Sequence, residues 1–488
     1  MNAKLSTLQQ SEHQIDTLPL PTLQEARKAL TAAQIKHLDA LISRYNQATK
    51  TSKQLAQTYR SVLADKRLSI DFNLLTKEMH YPIVVERALG SKVWDIDGNE
   101  YIDLIMGYGI NLFGYNPSFI KEVLLEQLEK GIQIGSQAEW VGEVAEAICE
   151  MTGMERVTFS NTGTEAVMTA IRLARTVTGR SKIVMFSGSY HGHSDGTLFE
   201  IRHENGNLQT LPTSLGIPPN SIEDVLVLEY GNSQTLEIIK SHEQDLAAIL
   251  VEPVQSRRPN LQPKEFLQQL RQLTQKAGIA LIFDEMITGF RIHTGGAQAW
   301  FGIEADLATY GKIVGGGMPI GIIAGKAKYM DAIDGGYWNY GDSSYPQTKP
   351  TFFAGTFCKH PLAIAAARIV LKYLKTQGSS LQEQLNQRTS QFVKSLNDYF
   401  AEDQVPIRMA NFGSLFGTAS SGDSNSAENS AYSLVFNLLY YHLFDRKVLL
   451  RGGGSFLSTA HSDEDIDYIL WAVKDSVREL REGGFLPS

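Results

Sequence analysis

Ile279-Ala280-Leu281-Ile282-Phe283-Asp284-Glu285 is the stretch from which the fold of this chain can be read. Apolar residues run straight into two acids, with none of the alternation that a half-buried strand shows. Such a run predicts a strand in a parallel sheet covered on both faces. It sets two carboxylates at the strand's C-terminal end, where open α/β sheets bind their ligands. A strand of an ATPase looks alike, but it needs a Gly-x-x-x-x-Gly-Lys-Ser/Thr loop to cradle phosphate. The Gly-Lys pairs here are Gly311-Lys312-Ile313 and Gly325-Lys326-Ala327, which lack the partner glycine and the hydroxyl. The nucleotide alternative fails.

Outward from that strand the same pattern repeats. Short apolar runs at Val157-Thr158-Phe159, 183–186 and 247–251 alternate with helical segments at 118–129 and 143–151. That order predicts an α/β protein with a mostly parallel sheet. Upstream, Ile83-Val84-Val85 and Lys92-Val93-Trp94 flank a turn at Ala88-Leu89-Gly90-Ser91. After Pro361 two long helical stretches lead to a Ser/Asn/Gly-rich loop at 419–430 and a last helix from about Asp463. Near the N-terminus, Ile35, Leu38, Leu41, Ile42 and Tyr45 share a helical face, with Leu55, Tyr59 and Leu63 following at helical spacing. Residues 1–20 are polar and without period, so they read as a flexible leader.

Composition narrows the class. The 488 residues are 43% hydrophobic and 20% charged, which excludes a disordered, collagenous or coiled-coil chain. The net charge of −8 argues against a nucleic-acid binder. Two cysteines, Cys149 and Cys358, are too few for a disulfide framework or a zinc site. No signal-peptide core opens the sequence and no run is long and apolar enough to span a membrane, so the expectation is a cytoplasmic enzyme with no membrane partner. Charge is unevenly spread. Residues 21–80 hold ten Lys/Arg against five Asp/Glu, which leaves −13 for the remainder. A basic helical stretch is either a solvated face or a docking surface for an acidic partner.

Two further segments carry chemistry. Lys312 stands in Tyr310-Gly311-Lys312-Ile313-Val314-Gly315-Gly316-Gly317, where glycine and apolar neighbours solvate an ammonium poorly. Desolvation lowers its pKa and frees a nucleophilic amine for imine chemistry. Ser160-Asn161-Thr162-Gly163-Thr164-Glu165 joins a strand to a helix. It reads equally as a phosphate cup of first-turn amides and hydroxyls or as a plain N-cap. Ser189-Tyr190-His191-Gly192-His193 adds an aromatic ring to stack on a ligand, and two histidines that are as readily structural. A phosphate cup, a strand-end Asp284 and a loop Lys312 are together what pyridoxal 5'-phosphate requires: Asp keeps the pyridine nitrogen protonated and Lys forms the imine.

On these residues, with Val251-Glu252-Pro253, Asp284-Glu285-Met286-Ile287-Thr288-Gly289-Phe290-Arg291 and 456–467, the chain resembles the class III, fold-type I pyridoxal-phosphate aminotransferases. Within them it is most similar to the glutamate-1-semialdehyde aminomutase branch. The resemblance implies a fold-type I transferase: a large domain with a seven-stranded sheet, and a smaller α+β domain. The implied limits are an extension over 1–78, the small domain at 79–130 and 366–488, and the cofactor domain at 131–365. It implies Lys312 as the cofactor lysine and proton shuttle, Asp284 on the pyridine nitrogen and Thr162, Gly163 and Thr164 on the phosphate. Tyr190 would stack on the ring, with His191 and Glu252 beside it. Gly355-Thr356 would reach the neighbouring subunit's phosphate in an obligate homodimer.

True aminomutases share a Ser-Pro-Val-Arg segment ahead of the first strand, and Arg67-Leu68-Ser69-Ile70-Asp71-Phe72-Asn73 lacks it. The segments Tyr337-Trp338-Asn339-Tyr340 and Thr351-Phe352-Phe353-Ala354-Gly355-Thr356, with the helical leader, resemble aminotransferase domains of hybrid polyketide–nonribosomal peptide synthases. That resemblance implies a glutamate or glutamine donor and a 3-oxoacyl acceptor tethered to an acyl carrier protein. Trp338, Tyr340, Phe352 and Phe353 could line an acyl channel, Arg451 is one candidate for the donor's carboxylate, and Arg291, close after Asp284, reads as structural. The alternatives are a glutamate-1-semialdehyde aminomutase and a transaminase acting on a free small keto acid or aldehyde.

Overall fold

The computed structural model describes residues 22–204, 207–419, 428–450 and 454–487. Seven strands make the central sheet: β1 Arg156–Ser160, β2 Lys182–Phe186, β3 Val225–Leu228, β4 Leu246–Val251, β5 Ala280–Asp284, β6 Leu307–Gly311 and β7 Gly321–Gly325. Their order is β1-β7-β6-β5-β4-β2-β3. β7 runs antiparallel to both neighbours, and the other pairings are parallel. Every residue of β4, β5, β6 and β7 is buried, the condition that the unbroken apolar runs anticipate. β1, lying across β7 from β6, points the same way as the other five. Six C-terminal strand ends therefore share one edge, and the site is built there.

Segments far apart in the chain complete the molecule. Val85–Leu89, Lys92–Asp95 and Glu100–Asp103 form an antiparallel meander, and Val448–Leu449 joins it in parallel beside Ile102 and Asp103. The hairpin turn is Gly90-Ser91, so its first strand lies at 85–89 rather than at 83–85 as the sequence suggests. Gly90 exchanges backbone hydrogen bonds with Tyr115, and that bridge fixes where the strand ends. Met409–Phe412, Leu415–Thr418 and Ser455–Phe456 form a second small sheet, packed by the helix Ser380–Glu402, which in turn packs on the helix Asp463–Glu482.

At the N-terminus the helix Ala32–Ala48 buries Leu38, Leu41 and Tyr45 against the helix Glu428–Asp445. The next helix stops at Tyr59, so Leu63 loses the helical spacing, and both side chains are exposed. Much of this region's positive charge is spent internally. Arg44 reaches Asp445 at 2.9 Å and Glu479 at 3.2 Å, and Lys53 reaches Glu78 at 2.7 Å. Lys50 and Arg60 stay exposed with no ion pair among the described residues. No helix of the described residues is long and apolar enough to cross a membrane.

Candidate active site

Each chemical group on the shared edge leaves the end of a different strand. β5 ends on Asp284, β4 leads into Glu252, β6 into Lys312, β2 through a tight turn to Tyr190 and His191, and β1 into Thr162–Thr164. Asp284 is buried and held on both oxygens. Its Oδ2 lies 2.8 Å from His191 Nδ1, and its Oδ1 accepts from the Thr309 hydroxyl and the Met286 amide, each at 3.2 Å. His191 is buried too, and its Nε2 has no partner among the described residues. The Glu252 carboxylate accepts from the Tyr190 amide at 2.8 Å and the Ser256 amide at 3.3 Å, tying the β2 and β4 loops together. Burial raises its pKa; His191 opposes that rise and Asp284 adds to it. Tyr190 keeps half its surface open, with the Arg257 guanidinium 5.8 Å from its ring centre.

Glu285, next to Asp284 in sequence, points away from this edge, as successive residues of an extended chain do. It accepts from the amides of Ala297 at 2.7 Å and Gln298 at 3.0 Å and from the Thr288 hydroxyl at 2.7 Å, and burial raises its pKa to about 7. One acid serves the site; the other braces the loop behind it.

Lys312 has φ 44°, in the left-handed region, which costs a non-glycine residue about 1–2 kcal/mol. Its Nζ donates to the Tyr108 carbonyl at 3.0 Å. Removal from water, reinforced by the Arg291 charge, lowers its pKa to about 8 against the opposing pull of Asp284 and Glu252. Met106, Gly107, Tyr108 and Gly109 all have positive φ, and this turn is held from behind by Arg291. The wholly buried Arg291 donates to the carbonyls of Ile287, at 2.9 Å, and Gly109, and to the Ser414 hydroxyl at 2.9 Å, with its guanidinium 4.7 Å from the Phe456 ring centre. Burial lowers its pKa to about 9. It clamps the turn and forms no ion pair among the described residues.

At the third corner Thr162 caps the helix Gly163–Thr178, its hydroxyl accepting from the Glu165 amide at 3.2 Å. Glu165 in turn accepts from the Asn161 amide at 2.7 Å. Both of the sequence's alternatives therefore coexist: the box caps the helix, and the first-turn amides of Gly163 and Thr164 lack intrahelical acceptors. Gly321, the first residue of β7, backs this turn so closely that a Cβ there would strike the Thr162 carbonyl oxygen and the Ser160 hydroxyl.

Other expected residues lie elsewhere. Thr356 is exposed, one residue beyond Gly355, which stands against Asn161. Arg451 lies outside the described residues. Tyr340 and Phe352 are almost wholly exposed and Trp338 is partly so, while Phe353 packs on the core. They line no channel within the chain, because 335–357 runs over its surface. Thr309 and Tyr108 escaped the sequence reading. Thr309 alone left a signal, as a hydroxyl in the apolar run of β6, where it pairs in register with Asp284.

The donor set fits pyridoxal phosphate. A fixed carboxylate suits a protonated ring nitrogen, an amine of lowered pKa suits the carbonyl, and a helix start suits the phosphate. The unpartnered Nε2 of His191 is the buried polar atom that a bound group would relieve.

Comparisons with known proteins agree. The family profile described as "Aminotransferase class-III" matches residues 75–443. The glutamate-1-semialdehyde 2,1-aminomutase 2 of Lachnoclostridium phytofermentans is 35% identical over 408 residues, 81% of this chain and 92% of that protein. Among solved structures, an ω-transaminase from Sphaerobacter thermophilus superposes with a TM-score of 0.78 at 28% identity, covering 88% of this chain and 98% of that one. A β-phenylalanine aminotransferase from Variovorax paradoxus gives 0.76 at 29%, covering 92% and 98%. A transaminase with PLP bound gives 0.78 at 27%, covering 89% and 99%.

Proposed function

The chain belongs to the class-III aminotransferases, whose cofactor is pyridoxal phosphate, and from that premise we propose an acceptor: a 3-oxoacyl group carried as a thioester on an acyl carrier protein. The amino group comes from glutamate or glutamine, and the donor's keto product leaves before the acceptor enters.

The observation that carries this choice is where two of the described arginines are spent. Arg291 is locked behind the Met106–Gly109 turn. Arg67, in the segment where aminomutases keep a carboxylate-binding arginine, pairs with Asp65 at 2.6 Å. A thioester acceptor needs no cation beyond the one that the donor's carboxylate uses, and neither of these two arginines is held open for a second carboxylate. Arg257, exposed over Tyr190, is the group this reading assigns to the donor's carboxylate.

When bound, the cofactor supplies an electron sink for the carbon that loses its proton. Asp284, oriented by His191 and Thr309, keeps a negative charge where the ring nitrogen must stay protonated. The Thr162–Thr164 turn holds the phosphate, and Tyr190 offers a ring face. Lys312 takes the substrate's α-proton at Nζ and would return it to the carbon on the cofactor side of the transferred nitrogen, which an amine with a pKa of about 8 can do in both directions. Exposed Thr356 fits a second copy of the chain, whose phosphate site it would complete as a homodimer.

The relatives' designation favours a second reading, internal amino transfer in glutamate 1-semialdehyde. Two incubations of the holoenzyme separate them by product mass. One holds 3-oxoacyl thioester with glutamate, and the other holds glutamate 1-semialdehyde with no donor. Amination of the thioester is expected. Fast conversion of the semialdehyde with no aminated thioester would sink the proposal.

A further inference from the structure

Ser256 and Arg257 touch more than the cofactor edge. They also line a cleft of about 80 Å³ that lies between the two small sheets and the helices over them. Phe392, Leu396, Leu439 and Leu443 line its interior. Arg257 is the one charged residue of its lining among the described residues, and it and Thr418 are the lining residues that are exposed. The cleft opens one residue's step from the site. The Ser256 amide sits on the Glu252 carboxylate, and the Arg257 guanidinium sits over the Tyr190 ring.

We infer that this cleft takes the hydrocarbon tail of the acyl acceptor, with its mouth at Ser256–Arg257 and its end among the helices Ser380–Glu402 and Glu428–Asp445. The inference rests on the 3-oxoacyl reading and adds where the chain goes and what limits its length. Apart from Arg257, Tyr440 and the hydroxyls of Ser256, Thr418 and Ser455 the lining is apolar, so a ligand with many polar groups would leave most of them unpaired there. A methylene chain matches it, and the aliphatic stem of Arg257 extends the apolar wall to the opening. A dicarboxylic donor stops at the guanidinium, because a second carboxylate cannot follow into an apolar interior. One site thereby serves a charged donor and an apolar acceptor in turn.

Gly417 allows a test. It lines the cleft, and a Cβ added there meets only Gly454 Cα at 3.8 Å and Pro259 Cγ at 4.0 Å, ordinary contacts, so a larger side chain has room to grow. The holoenzyme is given glutamate and 3-oxoacyl N-acetylcysteamine thioesters of about four to fourteen carbons, and kcat/KM should rise about four-fold per methylene until the cleft is full. Gly417→Phe should cut the long-chain values at least about ten-fold while leaving the shortest substrate and the glutamate half-reaction unchanged. Binding of the saturated dodecanoyl thioester, which lacks the keto group, is titrated calorimetrically in parallel. Binding lost in Gly417→Phe supports the cleft even where no thioester is aminated, an outcome that would overturn the acceptor reading alone. An unchanged chain-length profile, or equal binding by both proteins, overturns the cleft. So does no binding to the wild type.

Discussion

The lowered pKa of Lys312 can be tested without touching a residue. An ordinary lysine at 10.5 is neutral in about 0.03% of molecules at pH 7, whereas one near 8 is neutral in about 10%, roughly three-hundred-fold more. Only the neutral amine captures the cofactor's carbonyl. Recombination of apoenzyme with pyridoxal phosphate, followed by the visible absorbance of the bound cofactor, should therefore accelerate about ten-fold per pH unit below 8 and level off above it. The cause can be dissected. Burial is the larger effect and Arg291 the second, so Arg291→Met should move the break upward by less than half of the full displacement. The sign extends to stability. Lys312 has a lower pKa folded than unfolded, so between about 8 and 10.5 the unfolded chain binds more protons and this residue's contribution to stability rises with pH. A wild-type break at or above 10, or a flat profile between 7 and 9, would refute the desolvated-amine argument.

Four further outcomes follow from the geometry. Asp284→Asn removes the charge facing the ring nitrogen and should slow the half-reaction with glutamate by about two to three powers of ten, measured by single-turnover absorbance. Lys312→Gly and Lys312→Ala should both abolish turnover, but the glycine variant should be the more stable, by up to about 1 kcal/mol in urea melts, because φ 44° suits it. Gly321→Ala drives a methyl into the Thr162 carbonyl and should cost about 1–3 kcal/mol in stability and weaken cofactor binding, read by equilibrium dialysis. Reversing the charges of Lys50 and Arg60 should lower kcat/KM about three- to ten-fold for carrier-borne acyl groups but not for free thioesters, with a gap that widens at low salt. Equal loss on both substrates would leave that helix a solvated face.

The large sheet was legible where buried strands hold no glycine. β2, β4 and β5 read as apolar runs because nothing polar interrupts them, and β1 reads from Val157 and Phe159 on either side of Thr158. β6 and β7 did not, since Thr309 and the glycines of Gly311, Gly321 and Gly325 break the pattern, and β3 is only Val225–Leu228. Each glycine answers a close approach, Gly321 to the Thr162 carbonyl, Gly311 to the Ile320 carbonyl and Gly325 to the Asp306 carbonyl, a need visible only once the strands are side by side. The basic leader shows the same divide. Its Leu38, Leu41 and Tyr45 face was readable from spacing, but its charge was misleading, because Arg44 and Lys53 are neutralised by Asp445, Glu479 and Glu78.

By itself the sequence determined the chemistry's parts: a strand-end acid, a glycine-flanked lysine and a hydroxyl-rich helix start, each set by a local rule about which residues can occupy a strand end, a desolvated loop or an N-cap. Tertiary structure alone decided their use. It locked Arg291 behind the Met106–Gly109 turn and brought Tyr108 and Arg291 to bear on Lys312 from distant parts of the chain. Burial and electrostatic coupling depend on which groups surround a side chain in space, and a single strand's spacing holds no record of them.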